Sequence, residues 1–249
     1  MKLSTRMKGY ELSDTHYLKR RTPVIIRLDG KAFHTFTKGF SKPFDDILID
    51  TMMETTRRLC AGIQCCKLGY TQSDEISLLL VDYDNIDTEP WFNNRQNKIE
   101  STSASICSVC FNVILAEKIK DIPELKDKMF TATFDSRAFN LPKEEVCNYF
   151  IWRQQDCTRN SIQSLGQANF SHKQLQNKSC NQIQDMLFTE KGINWNHIAT
   201  KYKRGTCAVK MTEGEFNGKW LTDDEIPIFT EDREYVDRFV YPKKEVKLL

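Results

Sequence analysis

A long apolar run is the first thing this sequence lacks. Its apolar stretches, Ile76 to Val81 among them, fall far below the roughly 20 residues of a membrane-spanning helix, so no membrane association is expected. No apolar segment follows Met1-Lys2-Leu3-Ser4-Thr5-Arg6, so no export leader is expected and the expected setting is the cytoplasm. Charge of one sign is lacking too: 36 Lys and Arg against 34 Asp and Glu leave a net charge of +2. With Phe, Ile and Leu frequent, that balance excludes a disordered tail. It also argues against bulk nucleic-acid binding while leaving local basic patches open. Repeats, low-complexity tracts and Gly/Ser linkers are missing, so the 249 residues read as one continuous domain. No P-loop, G-x-G-x-x-G or G-x-S-x-G occurs, which disfavours a Walker ATPase, a Rossmann enzyme and an α/β-hydrolase.

Nine cysteines are present, an odd number at irregular spacing, as expected of free thiols in a reducing compartment. The one CxxC, Cys107 to Cys110, has no second pair or His cluster beside it. We read it as two small side chains one helical turn apart and expect no zinc.

Val24 to Leu28 is a β-branched run ending at Asp29-Gly30, a buried strand followed by a turn. Pro43 and Asp45-Asp46 suit a helix start, Leu48, Met52, Thr55, Thr56 and Leu59 recur at helical spacing, and Gly62 suits its stop. A second strand is expected over Ile76 to Val81 after the polar corner Thr71 to Glu75, a long helix over Lys98 to Ala116, and a strand over Phe130 to Phe134. Helices are expected over Glu144 to Gln154 and Gln174 to Leu187, and a hairpin within Trp195 to Leu221; no period is legible after Pro227. Alternating strands and helices imply an α+β sandwich, a sheet covered by helices.

Two acidic corners carry the chemistry. Asp29 ends one apolar strand and Asp74-Glu75 begins another. If those strands are neighbours, the carboxylates converge, and converging hard oxygen donors call for a cation such as Mg²⁺. Two such ions clamp the attacking and leaving oxygens of phosphoryl transfer. Lys31, Ala32, Phe33 and His34 follow the first acid and supply a charge for phosphates and rings for a base, while Ser73 precedes the second. Arg95 and Lys98, at i and i+3 near a helix start, suit a triphosphate, as does Arg137 after a strand. Three basic clusters stand out: Lys19-Arg20-Arg21, Lys201-Tyr202-Lys203-Arg204 and Lys243-Lys244-Glu245-Val246-Lys247. The second is favoured as functional, since an aromatic is interleaved and Gly205 permits close backbone approach.

The segments Arg27-Leu28-Asp29-Gly30-Lys31-Ala32-Phe33-His34, Tyr70-Thr71-Gln72-Ser73-Asp74-Glu75, Phe134-Asp135-Ser136-Arg137, Trp152-Arg153-Gln154-Gln155-Asp156-Cys157 and Tyr202-Lys203-Arg204-Gly205-Thr206 resemble the tRNA(His) guanylyltransferase family in order and content. The resemblance spans about Met7 to Lys210. It implies a palm-like, ferredoxin-like catalytic core over residues 1–140 and a helical, tRNA-handling region over 141–249. It implies addition of nucleotides to a tRNA 5′ end in the 3′–5′ direction, with GTP and ATP as substrates, and a homotetramer. Asp29, the Gly30 carbonyl and Asp74 would hold two Mg²⁺ ions, and Glu75 would be a further carboxylate of the catalytic centre. Residues Asp29 to His34 with Ser73, Asp74, Arg95 and Lys98 would bind the incoming nucleotide. Lys42, Arg137, Arg153, Arg159, Asn160, Lys203 and Arg204 would meet the activating nucleotide or the tRNA.

Thr158-Arg159-Asn160-Ser161 stands where eukaryotic members carry His-Ile-Asn-Asn. That departure resembles the bacterial and archaeal guanylyltransferase-like branch, for which template-dependent addition and 5′-end repair are expected. Two other classes stay open at this point: a palm-type nucleotide cyclase, which also pairs strand-end acids around Mg²⁺, and an RNA-binding module without chemistry.

Overall fold

The computed structural model describes residues 1–241; the Lys243–Lys247 cluster lies outside the described residues. Strands β1 (Val24–Gly30), β2 (Cys66–Gln72), β3 (Glu75–Leu80), β4 (Phe134–Asn140), β5 (Thr206–Lys210) and β6 (Trp220–Asp223) form one sheet in the order β4-β1-β3-β2-β5-β6. Every neighbouring pair is antiparallel. The helices are α1 (Leu3–Ser13), α2 (Phe33–Phe36), α3 (Asp46–Gly62), α4 (Gln96–Ile119), α5 (Lys143–Asn169), α6 (His172–Leu175), α7 (Cys180–Lys191), α8 (Thr200–Arg204) and α9 (Glu234–Val240). The first four strands with α3 and α4 make the ferredoxin-like β-α-β-β-α-β unit, and the region beyond residue 140 extends its sheet by two strands.

Alternation along the strands gives each sheet face its own core. Ile26, Leu28, Ile76 and Leu78 pack with Met52 and Leu59 of α3 and Phe111 and Leu115 of α4. Ile25, Leu68, Tyr70 and Leu79 face Val146 and Phe150 of α5 and Val236 of α9. The Asp45 carboxylate caps α3 by accepting from the Leu48 amide at 3.0 Å, as its sequence position suggests.

Three expectations need correction. Cys66–Gln72 is a strand, although no alternation shows there, because both of its faces are covered. The strand expected over Phe130 to Phe134 lies instead at Phe134–Asn140. β1 ends opposite Phe134, and the Ala132 amide and carbonyl are taken by the Asn112 side chain, so the earlier residues have no strand to join. The single helix expected over Gln174 to Leu187 is two, because Ser179 caps a fresh start at α7. In addition, α4 is long and apolar enough by length and composition to cross a membrane, because residues 101–116 carry no charge. Its Ile99, Cys107, Phe111, Leu115 and Ile119 are nonetheless fully buried in the core.

Candidate active site

One face of the sheet changes character along β1. Near Ile25 it is covered by α5 and α9, but Arg27 and Asp29 on the same face are only half-buried. Register then sets their neighbours. β3 places Glu75 opposite Asp29, and β4 places Asp135 opposite Asp29 and Arg137 opposite Arg27. Cross-strand partners share a face, so one end of the sheet gathers three acids and two cations.

Asp74 reaches the same end through a two-residue turn. Gln72 pairs with Glu75, leaving Ser73 and Asp74 at the tip, and Ser73 takes the left-handed φ of 51° that such turns demand. The Asp74 carbonyl accepts the Gly30 amide at 3.1 Å, which ties the turn to the end of β1. The Ser73 hydroxyl donates to Asp74 Oδ1 at 2.9 Å. Burial pushes the Asp74 carboxyl above its ordinary range; the Ser73 hydrogen bond opposes this, and the Asp29 charge adds to it. Gly30 is required by close approach: a Cβ there would lie 2.2 Å from the Phe33 ring. Phe33 packs against Phe36, Phe111 and Phe134, so it is a core residue and offers no free ring to a base. His34, Lys31 and Ala32 are exposed beside it.

Glu75 is held differently. Its Oε2 receives Arg27 at 2.6 Å and Arg153 at 2.8 Å, while its Oε1 is buried without a partner. Burial raises its pKa, and the Arg153 and Arg27 charges pull it back. Arg153 continues to Asp156 at 3.5 Å, and Asp156 also pairs with the exposed Arg159. Arg27 reaches Asp29 at 3.4 Å as well. Arg153 is thus buried inside an ion-pair chain and is not presented to a ligand, contrary to expectation.

Other expected contacts are also placed elsewhere. Arg95 precedes α4, whose start lies at the Asn140 end of β4, where Gln96 bonds the Ala138 carbonyl at 3.0 Å. Ala138 is opposite Ile26, three residues from Asp29 and therefore roughly 10 Å along β1, and α4 packs on the other sheet face. Within one chain, Arg95 and Lys98 are not brought to the acids. Lys201 pairs with Asp46 at 2.7 Å and with Asp50 at 3.6 Å, and the Tyr202 hydroxyl donates to Asp46 at 2.5 Å. Lys203 is buried and donates to the Asn196 carbonyl at 2.7 Å. Lys201 and Tyr202 are therefore consumed in docking α8 onto α3, and Lys203 in bonding the Asn196 carbonyl. Gly205 does permit a close approach, but to the carbonyl of Thr71, which a Cβ would meet at 2.4 Å. Arg204 is half-buried; Asn160 is half-buried; Lys42 and Arg137 are exposed.

Sequence reading passed over Arg27, Asp135 and Trp152 as site residues. Arg27 was legible by strand period, two residues before Asp29. Asp135 depended on the β1–β4 register, which no local pattern reveals.

Among the described residues no Lys or Arg forms an ion pair with Asp74. Two carboxylates at the end of an antiparallel, helix-backed sheet, one of them half-buried and outside any ion pair among the described residues, fit the palm-like class that includes nucleotidyltransferases.

The comparisons agree with that class. The tRNA(His) guanylyltransferase family model matches residues 4–142. The tRNA(His) guanylyltransferase of Debaryomyces hansenii is 31% identical over 209 residues, covering 78% of this chain and 76% of its own. A bacterial tRNA(His) guanylyltransferase-like protein solved with ATP is 47% identical at a TM-score of 0.88, over 97% of this chain and all of its own. Another solved with GTP is 42% identical at 0.80, over 96% and 99%. The chain belongs to the tRNA(His) guanylyltransferase family.

Proposed function

We propose that this chain adds nucleotides to a tRNA 5′ end in the 3′–5′ direction, using ATP to activate the 5′-phosphate and GTP as incoming nucleotide. The similar bacterial proteins were solved with ATP and with GTP. The observation that carries the reading is the convergence of Asp29 and a half-buried Asp74, which forms no ion pair among the described residues, at one sheet end. Their hard oxygen donors fit Mg²⁺. We assign two Mg²⁺ ions to Asp29, Asp74 and the Gly30 carbonyl. Bound there, divalent cations would neutralise the phosphates and stabilise charge on the attacking and leaving oxygens.

The chain's own part is positioning. The Gly30–Asp74 hydrogen bond fixes the two corners relative to each other. Arg27 orients Asp29 and is itself held by Glu75, which we assign a positioning role. Lys31, His34 and Arg137 are exposed beside the acids and suit phosphate or base contacts, and the exposed Lys42 suits the same role. Arg95 and Lys98, distant in the same chain, suit RNA phosphates, as do Arg159 and Arg204. A homotetramer remains our proposal for the assembly, and the cytoplasm for its location.

Because Thr158-Arg159-Asn160-Ser161 replaces the His-Ile-Asn-Asn stretch, we assign base choice mainly to pairing with the opposite RNA strand, leaving the protein to read shape and phosphates. The test is extension of 5′-truncated tRNAs with each nucleotide: guanosine should enter opposite cytosine and uridine opposite adenosine. Equal guanosine addition opposite every base would refute template choice. A cyclic product from ATP and GTP without RNA would favour a cyclase instead.

A further inference from the structure

Trp152 is an anomaly of the fold. It lies on α5 between Tyr149, Phe150 and Arg153, all three buried, yet it is 52% exposed. The other tryptophans are buried or half-buried, as is usual for so large an apolar ring. The Arg153 guanidinium sits 3.6 Å from the indole centroid, and the Tyr149 ring meets it edge-on at 6.0 Å. Arg27 lies 5.9 Å from the same centroid, and its guanidinium also reaches Asp29 at 3.4 Å. One side chain therefore spans the gap between the exposed indole and the acidic corner.

These observations point to one kind of ligand. Arg153 is buried in its ion pairs with Glu75 and Asp156, so its charge is already engaged and the ring beside it stays 52% exposed. The surroundings are cationic and acidic, with Arg27, Arg137, Asp29 and Asp135 on one sheet face, which does not suit an apolar protein partner. A flat, uncharged ring carrying a phosphate one sugar away satisfies both halves: its base on the indole, its phosphate at the acidic corner and its cations.

We propose that Trp152 is a stacking platform for a nucleobase at the reacting end. The proposal rests on the nucleotidyl-transfer reading and adds a base subsite to it. The base belongs either to a free nucleoside triphosphate or to the 5′ terminus of the RNA; the chemistry of recognition is shared. Stacking is tolerant of base identity, which suits a site where the opposite strand makes the choice.

Three variants test it: Trp152→Ala, Trp152→Leu and Trp152→Phe. Each is assayed with GTP, ATP and a 5′-monophosphorylated acceptor-stem RNA, and tryptophan fluorescence is titrated with the same three ligands. The Ala and Leu variants should raise KM for the stacked ligand about 10- to 100-fold, whereas Phe, which keeps an aromatic face, should stay within about threefold. Fluorescence quenching by that ligand should disappear in Trp152→Phe although the ligand still binds. The arm that responds, nucleotide or RNA, identifies the source of the base. Leu retains apolar packing, so the Leu–Phe contrast decides the matter even if Trp152→Ala fails to fold. The stacking role is overturned if no KM rises tenfold in Trp152→Leu, or if Trp152→Phe loses as much. Asp29→Ala separates this from the parent reading. Absence of transfer by the wild type refutes the transfer reading, retained transfer in Asp29→Ala refutes only the metal role of Asp29, and loss in Asp29→Ala beside a neutral Trp152→Leu refutes only the stacking.

Discussion

The acidic end of β1 and the α8 segment were equally charged in sequence, and the fold treats them oppositely. At α8 two of the three cations find partners: Lys201 has Asp46 and Asp50, and Lys203 has the Asn196 carbonyl. At the acidic end the charges are left short. Asp74 has no cation among the described residues, Asp29 shares Arg27 with Glu75, and Asp135 stands exposed with Arg137 at 3.9 Å. A balanced cluster holds elements together, whereas an unbalanced one in a half-buried setting retains free energy for a ligand of opposite charge.

The sharpest way to break that contrast is to remove an acid. Asp29→Ala or Asp74→Asn should lower transfer by about 10³-fold or more, equivalent to roughly 4 kcal/mol of transition-state stabilisation. The assay is labelled GTP with 5′-monophosphorylated tRNA. Mg²⁺ should also raise the melting temperature of the wild type and not of Asp29→Ala, which checks ion binding independently of activity. Normal turnover in either variant would leave the acids structural.

Glu75 tests the boundary between the two kinds of cluster. Glu75→Gln leaves Arg27 and Arg153 facing each other without their shared carboxylate, and losing one partner of a buried pair costs about 3 kcal/mol. Chemical denaturation should show this as a lower midpoint at unchanged slope. Transfer should fall as well, since Arg27 loses its anchor.

Asp74 should show the reverse sign in stability. Burial raises its pKa in the folded protein, so the native state binds that proton more tightly than the unfolded chain. Ionised Asp74 therefore opposes folding. The cost is full above its folded pKa and vanishes below the ordinary value of 3.8. With divalent ions chelated, Asp74→Asn should melt about 2 °C higher than wild type at neutral pH, a difference that shrinks towards pH 4. A lower melting temperature at neutral pH would show that the carboxylate is satisfied after all.

The smallest effect belongs to the balanced cluster. Lys201→Ala removes pairs between a half-buried Lys201 and carboxylates that are themselves well exposed and should cost about 1 kcal/mol, with RNA affinity nearly unchanged. A large loss of RNA binding would return this segment to the interface.

What could be read from residues alone was local. The β-branched run before Asp29, the Asp45 cap and the helical spacing of α3 are short-range signals, and each lies where expected. The acids at both corners and the family motifs were equally legible, because a motif is a statement about neighbours in sequence. Pairing was not. β2 escaped detection because a strand covered on both faces has no alternation, and β4 was displaced because only the end of β1 determines where its partner can start. The same limit governs the site. Residue type pointed to Lys203 and Phe33, and the family resemblance to Arg153, as ligand-binding groups, but tertiary contacts had already used them. Sequence determined which charges exist; only the fold decided which remain unpaired, because pairing is settled by long-range register and by which helix covers which end of the sheet.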